Sequence, residues 1–370
     1  MSYQVITKLK RNDVQAFNLL DAHRRTTIRP IFEMVQLPDD TDPEPHLAKA
    51  LEALKDYKLG SALTVDLNRF APDTRIDGQP PAKLGFAAML GQRQRVTPVI
   101  HLDSDPLTLR ATLEAAEQHQ RGLCVRIEGG DVIRAPELMM RGLQRLVREF
   151  AYGAPGADLL VDFGKLAFER DNIVIATSAF LRMVDRYGLS FRNVTFAGST
   201  VVDFVNEAAE EPNTTGSVMR TEFAAWMRIA RMYGWNRTLH FADYSIIRPG
   251  YMDNVPNKNT NAKIRYTSGA AIHYVRGCSR EEIPISTQYP RLAERLVNSR
   301  FFKSERFSHA DAFFANVARG LCNSVDMGHW VQLDSNHHLS YVARQVESFL
   351  ALTAEQRTSD EQLDAFMVAY

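Results

Sequence analysis

The side chains best suited to chemistry in this chain are carboxylates and arginines that close short, β-branched runs. Glu33 ends Thr27–Glu33, Asp66 lies in Ala62–Leu67 and Glu128 ends Gly122–Glu128. Asp162 lies in Asp158–Gly164, and Asp243 lies in Thr238–Tyr244. Arg126 falls just before Glu128, and Arg265 sits within Ala262–Thr267. Converging carboxylates can position Mg²⁺ or Mn²⁺ through oxygen ligands, with Asp66 and Asp162 as the candidate metal pair. Equally, the arginines can hold a phosphate or another polar ligand through forked hydrogen bonds. Any one of these acids also has a plainer reading as a helix N-cap in the turn after a strand. Glu33, Arg126 and Arg265 are poor capping types, so capping alone does not account for the set.

The run Leu123–Glu128 is the most informative. Leu123, Val125 and Ile127 share one face, while Cys124, Arg126 and Glu128 share the other. If helices cover the outside of the sheet, the polar face points inward, and a buried Arg with a buried Glu is costly unless paired. Two other clusters stand out. Arg248-Pro249-Gly250-Tyr251 and Asn257-Lys258-Asn259 lie in the long segment after the run that ends at Tyr244. Asn336-His337-His338 precedes an amphipathic stretch with Leu339, Val342, Val346, Phe349 and Leu350. Adjacent histidines do not ligate one metal in the usual i, i+4 manner. One of them is a candidate acid/base or ligand while the other caps or packs, and a structural role for both stays open. Trp226 and Trp330 read as core.

These residues need elements to position them, and one pattern recurs: a β-branched run ending in a polar residue, then a helix-length segment. The runs are Thr27–Glu33, Ala62–Leu67, Thr97–Asp103, Gly122–Glu128, Asp158–Gly164, Asn193–Ser199, Thr238–Tyr244 and Ala262–Thr267, the last continuing or folding back through Ala270 to Val275. An amphipathic helix with a cap at Asn12 precedes the first, a helix stopping at Gly60 precedes the second, and Ser104-Asp105-Pro106 is a helix start. Parallel strands joined by helical crossovers follow. Eight of them predict a closed (β/α)8 TIM-like barrel, whose usual length of about 250 residues fits this stretch. An open doubly wound parallel sheet is the alternative, but no G-x-G-x-x-G or Walker loop occurs. The reading divides the chain into a barrel over 1–276 and a helical segment over 277–370 packed on it. Its helices are Tyr289–Val297, His309–Cys322, Leu339–Leu352 and Glu361–Val368.

Composition narrows the function classes. At 370 residues, with 45% hydrophobic and 24% charged residues, the chain is ordinary globular protein. Lys plus Arg equals Asp plus Glu at 44 each, so no overall basic field exists for coating nucleic acid. The three cysteines, Cys124, Cys278 and Cys322, have neither disulfide-framework nor zinc spacing and read as reduced thiols. Met1 to Arg11 lacks an apolar signal region, and no apolar run nears the about 18 residues of a membrane span. A soluble, cytoplasmic protein without a membrane partner is the expectation.

Four landmarks together resemble the beta protein family of phages and bacteria. They are the Lys8–Asp13 segment leading into Arg29-Pro30-Ile31-Phe32-Glu33, then Arg220, Glu222 and Trp226 ahead of Phe241-Ala242-Asp243-Tyr244, then Ile264-Arg265-Tyr266-Thr267, and last Asn336-His337-His338-Leu339. The resemblance spans essentially the whole chain. It departs at Phe241-Ala242, where members tend to have Tyr-Gly, and at Trp330-Val331-Gln332, where Trp-Arg is common. It implies a phage-encoded or phage-conflict (antiviral defence) protein, with a phage component or a protein encoded nearby as partner, and it carries no established reaction.

Two functions are weighed. The first is an enzyme at the barrel mouth acting on a phosphorylated, nucleotide or nucleic-acid substrate, in the first instance a metal-assisted phosphodiester hydrolase. Glu33, Glu128, Asp243, His337 and His338 are then the catalytic candidates, with Asp66 and Asp162 on Mg²⁺ or Mn²⁺. Arg126, Arg248, Arg265, Tyr244, Tyr266 and Asn336 bind the phosphate or ligand. The second is a binding or sensor module that recognises a viral or partner protein and does no chemistry. Direct nucleic-acid binding without chemistry ranks below both, because no stripe of interleaved basic and aromatic residues occurs.

Overall fold

The computed structural model describes residues 3–38, 41–58, 62–149, 156–233, 239–252, 260–322, 326–352 and 360–369. Seven strands come first: β1 (Tyr3–Lys8), β2 (Ile28–Glu33), β3 (Thr64–Asp66), β4 (Thr97–His101), β5 (Leu123–Glu128), β6 (Ala157–Lys165) and β7 (Asn193–Ser199). β8 (Thr215–Met219) lies outside the ring that these form, and β9 (Leu239–Asp243) completes it. All neighbours in the ring run parallel, and β1 hydrogen-bonds to both β2 and β9, which closes the barrel. The protein is an α/β (β/α)8 barrel, and the open-sheet alternative is excluded by that closure. Helices follow the strands as expected. Asp105 caps the helix Pro106–His119 by accepting from the backbone of Leu107 and Thr108. Lys10, with no side-chain cap, stands where Asn12 was expected to start a helix, and Gly60 lies outside the described residues.

Two strands differ from the sequence reading. Tyr3–Lys8, to which the sequence reading assigned no element, is the first barrel strand and is buried along its whole length. The run Ala262–Thr267, read as the eighth, belongs instead to a second, antiparallel sheet in the order β10 (Asn261–Ser268), β11 (Ala271–Ser279), β8. Only Gly269 and Ala270 join β10 to β11, and Gly269 takes a left-handed φ of 59°. So short a link can only reverse the chain into a hairpin, whereas a parallel neighbour needs a crossover of a dozen or more residues. On β8, a Cβ at Gly216 would stand 1.7 Å from the carbonyl oxygen of Ala208, so glycine is required for that strand to lie against the preceding loop.

Inside the barrel, Ile6, Ile31, Val99, Cys124, Leu160, Ala197 and Ala242 form one apolar layer. Outside it, the opposite face of each strand joins the helices in the main core, as at Val5, Phe32, Val125, Leu159 and Phe241. The C-terminal helices run Ile285–Val297, His309–Ala318, Met327–Ala351 and Asp360–Ala369. The second sheet packs on the first three of these around Tyr266, Tyr289, Phe314 and Trp330. The long helix Met327–Ala351 then continues along the barrel wall. Its Leu339, Val342, Val346 and Phe349 enter the main core, where Phe349 meets Trp226 at 4.9 Å between ring centroids. No helix among the described residues is long and apolar enough to cross a membrane.

Closure through β1 has a testable consequence. Removing residues 1–8 leaves β2 and β9 as open parallel edges and uncovers the interior at Ile6. The truncated chain is expected to lose its cooperative thermal transition. A sharp transition within a few degrees of the intact protein contradicts the role given to β1.

Candidate functional site

Above the apolar layer, at the C-terminal ends of the strands, the barrel interior turns ionic. Arg126 of β5, 1% exposed, sits at its centre. Nη1 donates to Glu33 Oε2 of β2 at 2.9 Å and to Asp66 Oδ2 of β3 at 2.7 Å. Nε and Nη2 donate to Asp162 Oδ2 of β6 at 2.9 and 2.5 Å, and Nη2 also donates to Tyr244 Oη at 2.6 Å. Tyr244 in turn donates to Asp162 Oδ2 at 2.6 Å. Every donor of the guanidinium is used. Burial alone would push Glu33 up, but Arg126, Arg69 and Lys8 outweigh it and hold the carboxyl at about 2. Asp66 is likewise driven well below the usual carboxylate range, against its desolvation, by His101, Arg126 and Arg69.

The metal expectation for Asp66 and Asp162 fails on this donor set. The space where these two acids and Glu33 converge is filled by a permanent cation, which takes one oxygen of each, while the second oxygens of Asp66 and Asp162 accept from the backbone of Asn68 and Gly164. Among the described residues, no group of three or more His, Cys, Asp or Glu side chains is arranged to hold a metal ion.

The open mouth above Arg126 carries three groups that can exchange protons or touch a ligand. Glu128 is exposed at the end of β5, and its carboxyl is raised by desolvation and by the neighbouring charge of Asp162. His101, at the end of β4, places Nε2 2.8 Å from Asp66 Oδ2, which fixes the ring. Arg69 reaches over from the turn after β3 to Glu33 Oε2 at 3.1 Å. Lys8 pairs with the other oxygen of Glu33 and extends this layer sideways into a cleft.

The cleft, about 640 Å³, lies between the barrel mouth, the second sheet and the start of the helix Met327–Ala351. Among the described residues, Lys8, Lys10, Arg248, Lys263 and Arg265 line it against two carboxylates, Asp13 and Asp203. Tyr251, Tyr274, Tyr289 and Trp330 add aromatic wall. Arg248 is paired with Asp203 at 3.4 Å, and Arg265 with Asp334 at 3.0 Å and the carbonyl of Ile246 at 2.9 Å. Asp13 accepts from Thr7, and its burial raises it to about 6 despite the cations around it. Asn257-Lys258-Asn259, read as part of this loop, lies outside the described residues.

The remaining candidates lie elsewhere. Asp243 falls on the outer face of β9, in step with Phe241, and not in the mouth. It accepts from Tyr3 Oη at 2.9 Å and lies 3.0 Å from His338 Nε2. His338 Nδ1 meets Thr267 Oγ1 at 2.7 Å. His337 is closed off between Asp311 Oδ2 and the carbonyl of Thr267, both at 2.8 Å, and stacks on Tyr266 at 3.7 Å. Tyr266 donates to Asp311, and Asn336 ties the backbone of Ala310 to that of Ala16. All of these are buried. The Asn-His-His run lies inside the long helix instead of preceding it, and the helical turn sends its neighbours to different partners. Asp243, His337, His338, Tyr266 and Asn336 thus fasten the C-terminal helices to the barrel and do not reach the cleft.

Arg220 and Glu222, which served only as landmarks in the sequence, join this outer network. Arg220 donates to Glu222 at 3.3 Å and to Gln345 at 2.7 Å, and its Nη2 lies 3.8 Å from Asp243. Glu222 also accepts from Thr200 at 2.7 Å. Lys8, Arg69 and His101 were missed at the mouth. The alternation Thr97, Val99, His101, in register with Arg126, carried the signal for His101. The alternation Gln4, Ile6, Lys8 carried it for Lys8. Arg69 sits in a turn and has no such signature.

Two measurements test these networks. Arg126→Met removes the cation that three buried carboxylates share, leaving Glu33 with Lys8 and Arg69 and Asp66 beside His101, and is expected to cost about 3–5 kcal/mol at neutral pH. That cost should shrink in urea melts at pH 5, because acids that have lost their partner take up protons. Equal costs at both pH values contradict the ionic account. Glu222 has the opposite sign: desolvation raises it to about 7, so its contribution is complete below about 4.5 and is lost as pH rises through about 7. Glu222→Gln should therefore flatten stability over that window by on the order of 3 kcal/mol. An unchanged pH profile contradicts this.

Comparison with known proteins gives a family and little else. No curated protein sequence matches the chain. Among solved structures, a Yersinia pestis DHPS complexed with a pterine-sulfa conjugate is similar at 13% identity and a TM-score of 0.38, over 66% of this chain and 88% of that one. A 3-hexulose-6-phosphate synthase is similar at 17% identity and a TM-score of 0.34, over 66% of this chain and 91% of that one. The barrel assignment rests on the strand pairing itself. The family described as Beta protein matches residues 3–344, and with the Arg-Tyr, Asp-Tyr and Asn-His-His landmarks now placed in one fold, the chain belongs to the beta protein family.

Proposed function

We propose that this protein binds a phosphorylated small molecule or nucleotide in the cleft beside the barrel mouth and acts on it there. The observation that carries the reading is the charge of the cleft wall: among the described residues five cationic side chains line it against two carboxylates, with Glu33 and Asp334 pairing Lys8 and Arg265 from behind the wall. A concave site with an excess of cations concentrates anions and favours phosphate through Lys and Arg donors. Its aromatic wall suits a flat or apolar portion of the same ligand. Glu128 and the Asp66-oriented His101 stand at the adjoining mouth as the acid/base pair. In this reading the chemistry is proton transfer next to a fixed cationic field, since the acids proposed for a metal are held by Arg126. The phage-conflict setting implied by the family would make that ligand a nucleotide or a nucleic-acid end.

A second reading, a binding module without turnover, draws on the complete saturation of Arg126, which is what a purely structural ionic layer looks like. Titration of nucleoside phosphates, sugar phosphates and pyrophosphate, followed by Trp fluorescence and product analysis, separates the two. The first reading expects binding that weakens at least about tenfold in Arg248→Gln, a loss of about 1.4 kcal/mol, with turnover abolished and binding retained in Glu128→Gln. Binding without turnover of any ligand supports the module. No binding across the panel contradicts both uses of the cleft.

A further inference from the structure

Lys263 differs from the other cleft cations in what surrounds it. It lies on β10 with its side chain in the cleft wall, on the face opposite Ala262 and Ile264, which belong to the core. Lys8, Arg248 and Arg265 each have a carboxylate partner. Among the described residues, no carboxylate comes within ion-pair distance of the Lys263 ammonium. The charges that face it are mixed. Arg265 is on its own strand, Arg276 stands opposite on β11, and Asp334 lies on the long helix. The phenol of Tyr289 packs from the helix Ile285–Val297. Across the cleft stand Lys8, Lys10 and Asp13.

Resting on the reading of the cleft as the ligand site, we propose that Lys263 is a nucleophilic amine that condenses with the carbonyl group of an anionic aldehyde or ketone held by the neighbouring cations. Its nitrogen lone pair adds to the carbonyl carbon, the carbonyl oxygen takes up a proton to give a carbinolamine, and loss of that hydroxyl as water leaves an imine. No electrons are gained or lost overall, and water is the only other product. The surroundings supply what the step needs. Desolvation first, and then the charge of Arg265, lower the amine to about 8. A lysine so placed is neutral near pH 8 about a hundred times more often than an ordinary one. The cleft wall offers a place for the ligand's anionic group next to the carbonyl it presents.

Reductive trapping with borohydride tests this on the full-length protein, using pyridoxal 5′-phosphate and pyridoxal as probes and peptide mapping to locate the adduct. The expected result is a single adduct at Lys263, forming at least about tenfold faster than at exposed Lys55 or Lys83 and titrating near 8 in place of the ordinary lysine range. Lys263→Met should abolish the adduct, with its thermal transition confirming that it folds. Faster trapping of the phosphorylated probe, suppressed by pyrophosphate, supports the imine and the anion site together. Equal trapping of both probes at Lys263 keeps the imine and removes the phosphate reading. Competitive, non-covalent binding of the phosphorylated probe with no adduct at Lys263 keeps the anion site and overturns the imine. Adducts spread over exposed lysines, with Lys263 no faster than they are, also overturn it.

Discussion

The guanidinium of Arg126 decides how the upper half of this barrel is filled. A barrel of eight strands has room for side chains only, and here the layer below the mouth is ionic instead of apolar. It is one cation surrounded by Glu33, Asp66 and Asp162 of β2, β3 and β6 and by Tyr244, the residue that follows β9, all far apart in sequence. Such a layer adds little net stability over an apolar one, but each member depends on the rest. It therefore fixes the relative heights of β2, β3, β5 and β6. It also sets the orientation of everything above it, as Asp66 does for His101 and Glu33 for Arg69 and Lys8.

A second ionic network does the corresponding work outside the barrel. Asp243, His338, Thr267, His337 and Asp311 link β9 through the second sheet to the C-terminal helices, and Arg220 and Glu222 extend the chain toward β7. The cleft is the space left between these two clamps. Its walls come from loops after β1, β7 and β9 on one side and from β10 and the long helix on the other. Neither the barrel nor the C-terminal segment builds it alone.

How much of this was legible in the sequence follows from parity and chain reversal. The faces of β5 were readable because one strand carries both an apolar and a charged alternation, and Arg126 fell where that alternation put it. Asp243 was not placed, because a strand-end acid beside Tyr244 can face either way and only the packed helix Met327–Ala351 decides it. The count of eight strands was right through two compensating errors. The fully buried β1 ends in a lysine and shows no polar alternation to mark it as a strand, and β10 has the composition of a barrel strand but is turned back by a two-residue link. The Asn-His-His run looked like a site because its residue types are reactive. Burial against Asp243, Thr267 and Asp311 turns those same types into fasteners.

The central claim is that the ionic layer is a fixed floor and that ligands bind beside it in the cleft. A crystal structure with pyrophosphate bound tests this most directly. The account predicts the anion among Lys10, Arg248 and Lys263, with all the hydrogen bonds of Arg126 unchanged. Pyrophosphate seated on Arg126 in place of Glu33 or Asp162, with the cleft empty, contradicts it.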